Sequence, residues 1–282
     1  MLLDECVNIS SRNKELQGKR VKIKAGTLLD YLNATLENSS VHAQEHPQLM
    51  YMVIQMDQIF QEEIFGHEFD VDPIAGLLAI NAYTMLLSAV KQALSGHTVS
   101  TFPIVRTALE SACYAYLIAH DEAMGKIWLN RHTSKGALQK CRKMFTVKKA
   151  SNELKSISHE MAEYVMAHYE AAIDLGAHPN QKAVFNHLTD MGEVDTRFHG
   201  FELTGVYGQN SWHVNYALLV CTEVGQAIAF LLAASVKNHP LIHDRLKVFT
   251  SWLDEKNRIA DELNGEPIDY TGPMYCSVIP PE

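Results

Sequence analysis

TFPIVRTALESACYAYLIAHD, Thr101 to Asp121, is the stretch whose reading decides the fold. Thr101 is placed to cap a helix and Pro103 to lie in its first turn, where a missing N–H costs nothing. At about 100° per residue, Arg106, Leu109, Glu110, Cys113, Leu117 and His120 share one face, and Ala108, Ala112, Ala115 and Ala119 share the other. An alanine stripe admits a second helix at close range, so both faces are expected to be covered. Arg106 and Glu110 are then at least partly buried, and buried charges need partners. A solvent-exposed i,i+4 ion pair, worth a few tenths of a kcal/mol, is the plainer alternative.

The flanking sequence reads as helices arranged around this one. Asp72-Pro73 gives a cap and an N1 proline to IAGLLAINAYTMLLSAVKQAL, which runs to about Leu94 and pairs with 102–120 as a buried helical hairpin. Leu28, Leu29, Leu32 and Leu36 are helix-spaced, and Gln48–Phe65 is a Met- and Gln-rich helix. Further helices are expected over 134–145 and 153–175, with a short one at KAVFNHLTDM. Gly192–Asn210 is the longest irregular segment, rich in Gly and aromatics. Ser211 caps WHVNYALLVCTEVGQAIAFLLAASV, which His213, Asn215, Glu223 and Gln226 interrupt, so a core helix fits better than a membrane span. A last helix follows Pro240, with Leu246, Phe249, Leu253 and Leu263 inward, and Gly265 ends it. The whole is an all-α multi-helix bundle. Residues 1–26 form an irregular arm containing the alternating Gly18–Lys24, residues 27–264 the single domain, and residues 265–282 an extended tail.

The chain has 282 residues, 47% of them hydrophobic, and a formal net charge of −9. That argues against bulk binding to nucleic acid or a membrane surface. Five cysteines without CxxC spacing, and a start without a signal-peptide pattern, point to reduced thiols in the cytoplasm. Between Lys126 and Lys155 the balance reverses: nine basic residues stand against Glu153. Arg131, Lys135, Arg142, Lys143 and Lys149 form a candidate nucleic-acid patch there, with a solvated helix face as the bland reading.

Phosphate-cradling glycine motifs, GxSxG, HExxH and ExxH are absent, so no cofactor and no metal is expected. The candidate ligand-binding residues are Arg106, Glu110, Tyr207, Ser211, His213 and Glu223. Glu223 falls mid-helix in apolar sequence and needs a cation; Arg106 bridging Glu110 and Glu223 is the expected arrangement.

RTALESACYAYLIA (Arg106–Ala119), with Tyr207, Ser211, His213 and Val214 much later, resembles an uncharacterised bacterial helical family distantly allied to the HEPN domain, the nucleotide-binding helical domain of higher eukaryotes and prokaryotes. The resemblance implies an R-x-x-x-E helix, here Arg106 and Glu110, and a later segment with Tyr, Ser and His near a helix start, here Tyr207, Ser211 and His213. No Arg is followed by His at the four-to-six-residue interval of HEPN ribonucleases. The leading expectation is a polar intrahelical pocket for a small anionic or nucleotide-like ligand, in a stress or phage-defence setting. The alternatives are a non-catalytic interaction module that forms a homodimer, and an atypical HEPN-like nuclease using His199 or His213 with Glu110.

Overall fold

A computed structural model describes residues 26–67, 71–179, 183–184, 186–195, 198–209, 211–265, 267 and 272–276. Residues 1–25 of the expected N-terminal arm, and residues 266, 268–271 and 277–282 of the expected tail, lie outside these. The described chain is a helical bundle, as read from sequence. Its helices are α1 (Leu28–Gln44), α2 (Met50–Ile59, continued by a π-turn at Phe60–Ile64), α3 (Pro73–Leu94), α4 (Thr98–His120), α5 (Glu122–Leu129), α6 (Lys135–Met144), α7 (Val147–Leu154), α8 (His159–Ala172, with a π-turn at Ile173–Ala177), α9 (Trp212–Ala234) and α10 (Leu246–Asn264).

The Asp72 carboxylate accepts from the Ile74 N–H and Pro73 occupies N1, which starts α3 as its sequence requires. Gly96, at φ 82°, turns the chain so sharply that α4 begins at Thr98. Thr101 is therefore inside the helix rather than its cap, and Pro103 lies beyond the first turn. α3 and α4 pack along their lengths, and α9 closes over both. At Gly225 α9 comes so near α2 that a Cβ would stand 2.2 Å from Met56 Sδ. By length and composition α3 and α9 could each cross a membrane. Beyond its half-buried first turn α9 is enclosed by its neighbours, whereas α3 leaves Leu77, Ile80 and Leu87 exposed.

Two further segments depart from expectation. Residues 188–203 are neither a short helix nor irregular: β1 (Leu188–Asp195) and β2 (Phe198–Leu203) form an antiparallel hairpin pairing Leu188 with Leu203 and Glu193 with His199. Register shifts around Gly192, which has φ 74°, break the two-residue alternation that would have marked the strands. The final helix begins later; of its expected inward residues Phe249 is buried, Leu253 and Leu263 pack half-buried against the core, and only Leu246 does not. It buries Phe249, Trp252, Lys256, Ile259 and Ala260, and it leaves Leu246 exposed.

Candidate functional site

The six residues proposed from sequence fall into three separate places. Arg106 and Glu110 form the expected i,i+4 pair, Nε to Oε1 at 3.0 Å, at a half-buried edge of α4. The other Arg106 nitrogens meet His178 Nε2 at 2.8 Å and the Tyr169 hydroxyl at 3.2 Å, with the guanidinium 5.1 Å from the Tyr169 ring centre. Glu223 is not among its partners, which corrects the bridge expected from sequence. The cause is the rotation of α10, which offers Glu223 a nearer cation. Arg106→Ala therefore strands no core acid. Its expected cost is about 1–2 kcal/mol, below the cost of breaking a buried pair, and denaturant unfolding measures it.

Tyr207 and His213 do meet, with rings stacked at 3.8 Å and 15°. A residue not singled out from sequence, His187, joins them, its Nδ1 2.6 Å from the Tyr207 hydroxyl. Ser211 is spent as the α9 cap, accepting from the Val214 N–H. The loop before it is clasped to the bundle. The Tyr207 N–H donates to the Gly96 carbonyl at 2.9 Å, and the Asn38 carboxamide donates to the Tyr207 carbonyl at 2.8 Å. Burial and the nearby His213 push His187 down to about 4, and burial also lowers His213. His187 therefore stays neutral in the folded chain at pH values where the unfolded chain, below pH about 6.5, takes up a proton, and His213 is shifted in the same direction. Unfolding there binds protons, so stability is full above that pH and falls as pH drops toward 4. Melting temperature followed from pH 7.5 to 4.5 should decline in that window, and His187→Gln should flatten the decline.

The third place lies in the core, between α8, α9, α10 and the tail. The Lys256 ammonium donates to Glu223 Oε1 at 2.7 Å, and both side chains are almost completely buried. The Tyr275 N–H reaches Glu223 Oε2 at 3.4 Å. The Tyr275 hydroxyl lies 2.9 Å from His168 Nδ1 and has no other acceptor among the described residues, so its proton goes there and the imidazole proton stays on Nε2. Burial, and then the charge on Lys256, hold His168 far below the usual histidine range. The Tyr164 hydroxyl donates to Gln226 Oε1 at 3.2 Å, which directs the amide nitrogen elsewhere. His168 Nε2 and Gln226 Nε2 are buried without hydrogen-bond partners among the described residues. One helical turn along α9 and α10, a cavity of about 230 Å³ is lined by Trp212, Asn215, Tyr216, Leu219, Ala260 and Leu263 among others. Trp212 and Tyr216 stack there at 4.9 Å.

Of these core residues the sequence reading singled out Glu223 alone as a site residue. Lys256 carried a usable signal: it falls four residues after Trp252 and four before Ala260, in the middle of an apolar stripe.

On α6, Lys135, Arg142 and Lys143 are exposed. Lys149 is half-buried and faces Glu153 at 3.7 Å, and Arg131 is half-buried. Among the described residues no group of three or more His, Cys, Asp or Glu side chains could hold a metal ion. Beside Glu63 and His67, His239 Nδ1 accepts from the Leu241 N–H. The neutral ring then carries its proton on Nε2 and has no free lone pair for a metal.

Comparison with protein families, characterised proteins and solved structures finds no match to this chain.

Proposed function

We propose that this chain binds a small anionic or nucleotide-like ligand inside the bundle, at the Lys256–Glu223 centre rather than at Arg106. The observation that carries this reading is the pair of buried nitrogens, His168 Nε2 and Gln226 Nε2, that have no hydrogen-bond partner among the described residues. Buried donors without acceptors cost free energy, and an oxyanion or a ring acceptor would relieve that cost. The neighbouring cavity is smaller than the pockets of drug-sized ligands, which run from about 300 Å³ upward. It suits a compact molecule with a flat apolar body against Trp212 and Tyr216. The HEPN-like resemblance of Arg106–Ala119 adds the expectation of a nucleotide-type ligand and a role in stress or phage defence.

The test is thermal denaturation with inorganic phosphate, adenosine monophosphate and benzoate, each titrated separately. A ligand present at 100 times its Kd stabilises by about 2.7 kcal/mol, a shift of several degrees. Gln226→Leu removes two donors without stranding a charge and should abolish the shift while keeping the fold. No shift with any of the three, or an equal shift in Gln226→Leu, rejects the reading.

A further inference from the structure

Helix α1 is built the wrong way round for a helix whose outer side meets only water. The side against the bundle is polar. Asn38 is buried and donates to the Ser95 and Tyr207 carbonyls, and His42 is buried with its Nδ1 2.7 Å from the Leu94 carbonyl. The Tyr31 hydroxyl meets His97 Nδ1 at 2.8 Å on the same side. Roughly 120° round the axis lies a stripe of leucines. Leu28 is 73% exposed, Leu29 65%, Leu32 44% and Leu36 66%. An amphipathic helix ordinarily turns its apolar stripe to the core. Here the polar stripe is buried and the apolar one is left outside.

We propose that this stripe is the contact face of a two-fold homodimer, with α1 of one copy lying antiparallel on α1 of the other. Two features select a second copy as the occupant. The first is self-complementarity, which a two-fold interface requires. Leu28, Leu32 and Leu36 are spaced four apart, so an axis through Leu32 sets Leu32 against its own mate and Leu28 against Leu36 of the other copy. Nothing charged lies at those three positions. The second is area. The four leucines expose on the order of 400 Å², most of the apolar share of a homodimer interface that buries about 800 Å² per partner. The face also continues: Lys91 donates to Ser39 Oγ and joins the outer edge of α3, with exposed Leu77, Ile80 and Leu87, to α1. This inference is independent of the proposed ligand, because Lys256 and Glu223 belong to other helices.

The mass of the full chain in solution, by light scattering across a dilution series, tests the proposal. The expected mass at tens of micromolar is twice the 31.7 kDa of one chain. Leu32→Glu puts two like charges at the axis and should weaken association at least about tenfold. Its melting temperature, taken at a dilution where both proteins are monomeric, should match that of the unsubstituted chain. Leu32→Cys should cross-link to itself on mild oxidation, with the unsubstituted chain carried alongside, because only a residue at the axis meets its own copy. A monomer at every concentration overturns the proposal, as does a dimer indifferent to Leu32→Glu. A monomer that Leu32→Glu destabilises also overturns it, by assigning the stripe to the chain's own residues 1–25.

Discussion

Lys256→Ala is expected to lower the unfolding free energy by about 3–5 kcal/mol, because it removes the buried counter-ion of Glu223 in the core. Lys256 and Glu223 are almost completely buried and 2.7 Å apart, so water cannot replace the lost ammonium. The magnitude comes mostly from the stranded charge and less from the attraction removed. The double substitution Lys256→Met with Glu223→Leu should therefore recover most of the loss, since apolar side chains of similar volume fill the same space. Denaturant unfolding of the single and double variants makes the comparison. A loss under about 1 kcal/mol in Lys256→Ala would sink the description of a sealed pair. The matching change at Arg106 is expected to cost less, because that guanidinium is half-buried at the edge of α4.

Gly96→Ala carries the second large effect. With φ at 82°, any side chain there is strained, and a Cβ would stand 2.2 Å from the Tyr207 carbonyl oxygen and 2.5 Å from the Asn38 amide nitrogen. Neither neighbour can retreat without breaking the bonds that clasp residues 204–209 to the bundle. The expected cost is about 3 kcal/mol or more, combining backbone strain with two lost hydrogen bonds. Gly265 provides the control. Its φ is 79° but nothing lies within 4 Å of where its Cβ would be. Gly265→Ala should then cost only about 1 kcal/mol, the conformational penalty alone. Equal losses at the two glycines would show that crowding at Tyr207 contributes nothing. Because the Tyr207–His213 stack rests on the clasp, Gly96→Ala should also alter near-ultraviolet circular dichroism, and Gly265→Ala should not.

These two sites also show what the sequence could and could not reveal. The α3–α4 hairpin was legible because capping chemistry at Asp72-Pro73 and long apolar periodicity agree over many residues. α9 was legible as a core helix because Glu223 and Gln226 interrupt an otherwise apolar run. The need of Glu223 for a cation was legible too, but not which one. Arg106 and Lys256 were both available, and choosing between them requires the rotation of α10. That rotation is set by Trp252 and Ile259 packing inward beside Phe249, Leu253 and Leu263, a face that the leucine positions mark only in part. The β1–β2 hairpin was hidden because its bulged register at Gly192 erases alternation. The outward leucines of α1 fit an amphipathic pattern equally well in either orientation, since periodicity gives a face but no direction.

The clasp at Gly96 also bears on how long a folded molecule lasts. Asn38 and Tyr207 are 169 positions apart along the chain, while the α3–α4 hairpin forms between immediate neighbours in sequence. Closing so wide a loop is entropically costly, so that contact belongs to the last stage of assembly. Contacts absent from the transition state govern the escape rate from the native basin and leave the rate of entry almost untouched. Removing the Asn38 carboxamide should thus shorten the native lifetime without slowing refolding, and one amide on the outermost described helix acts as a timer for the whole bundle.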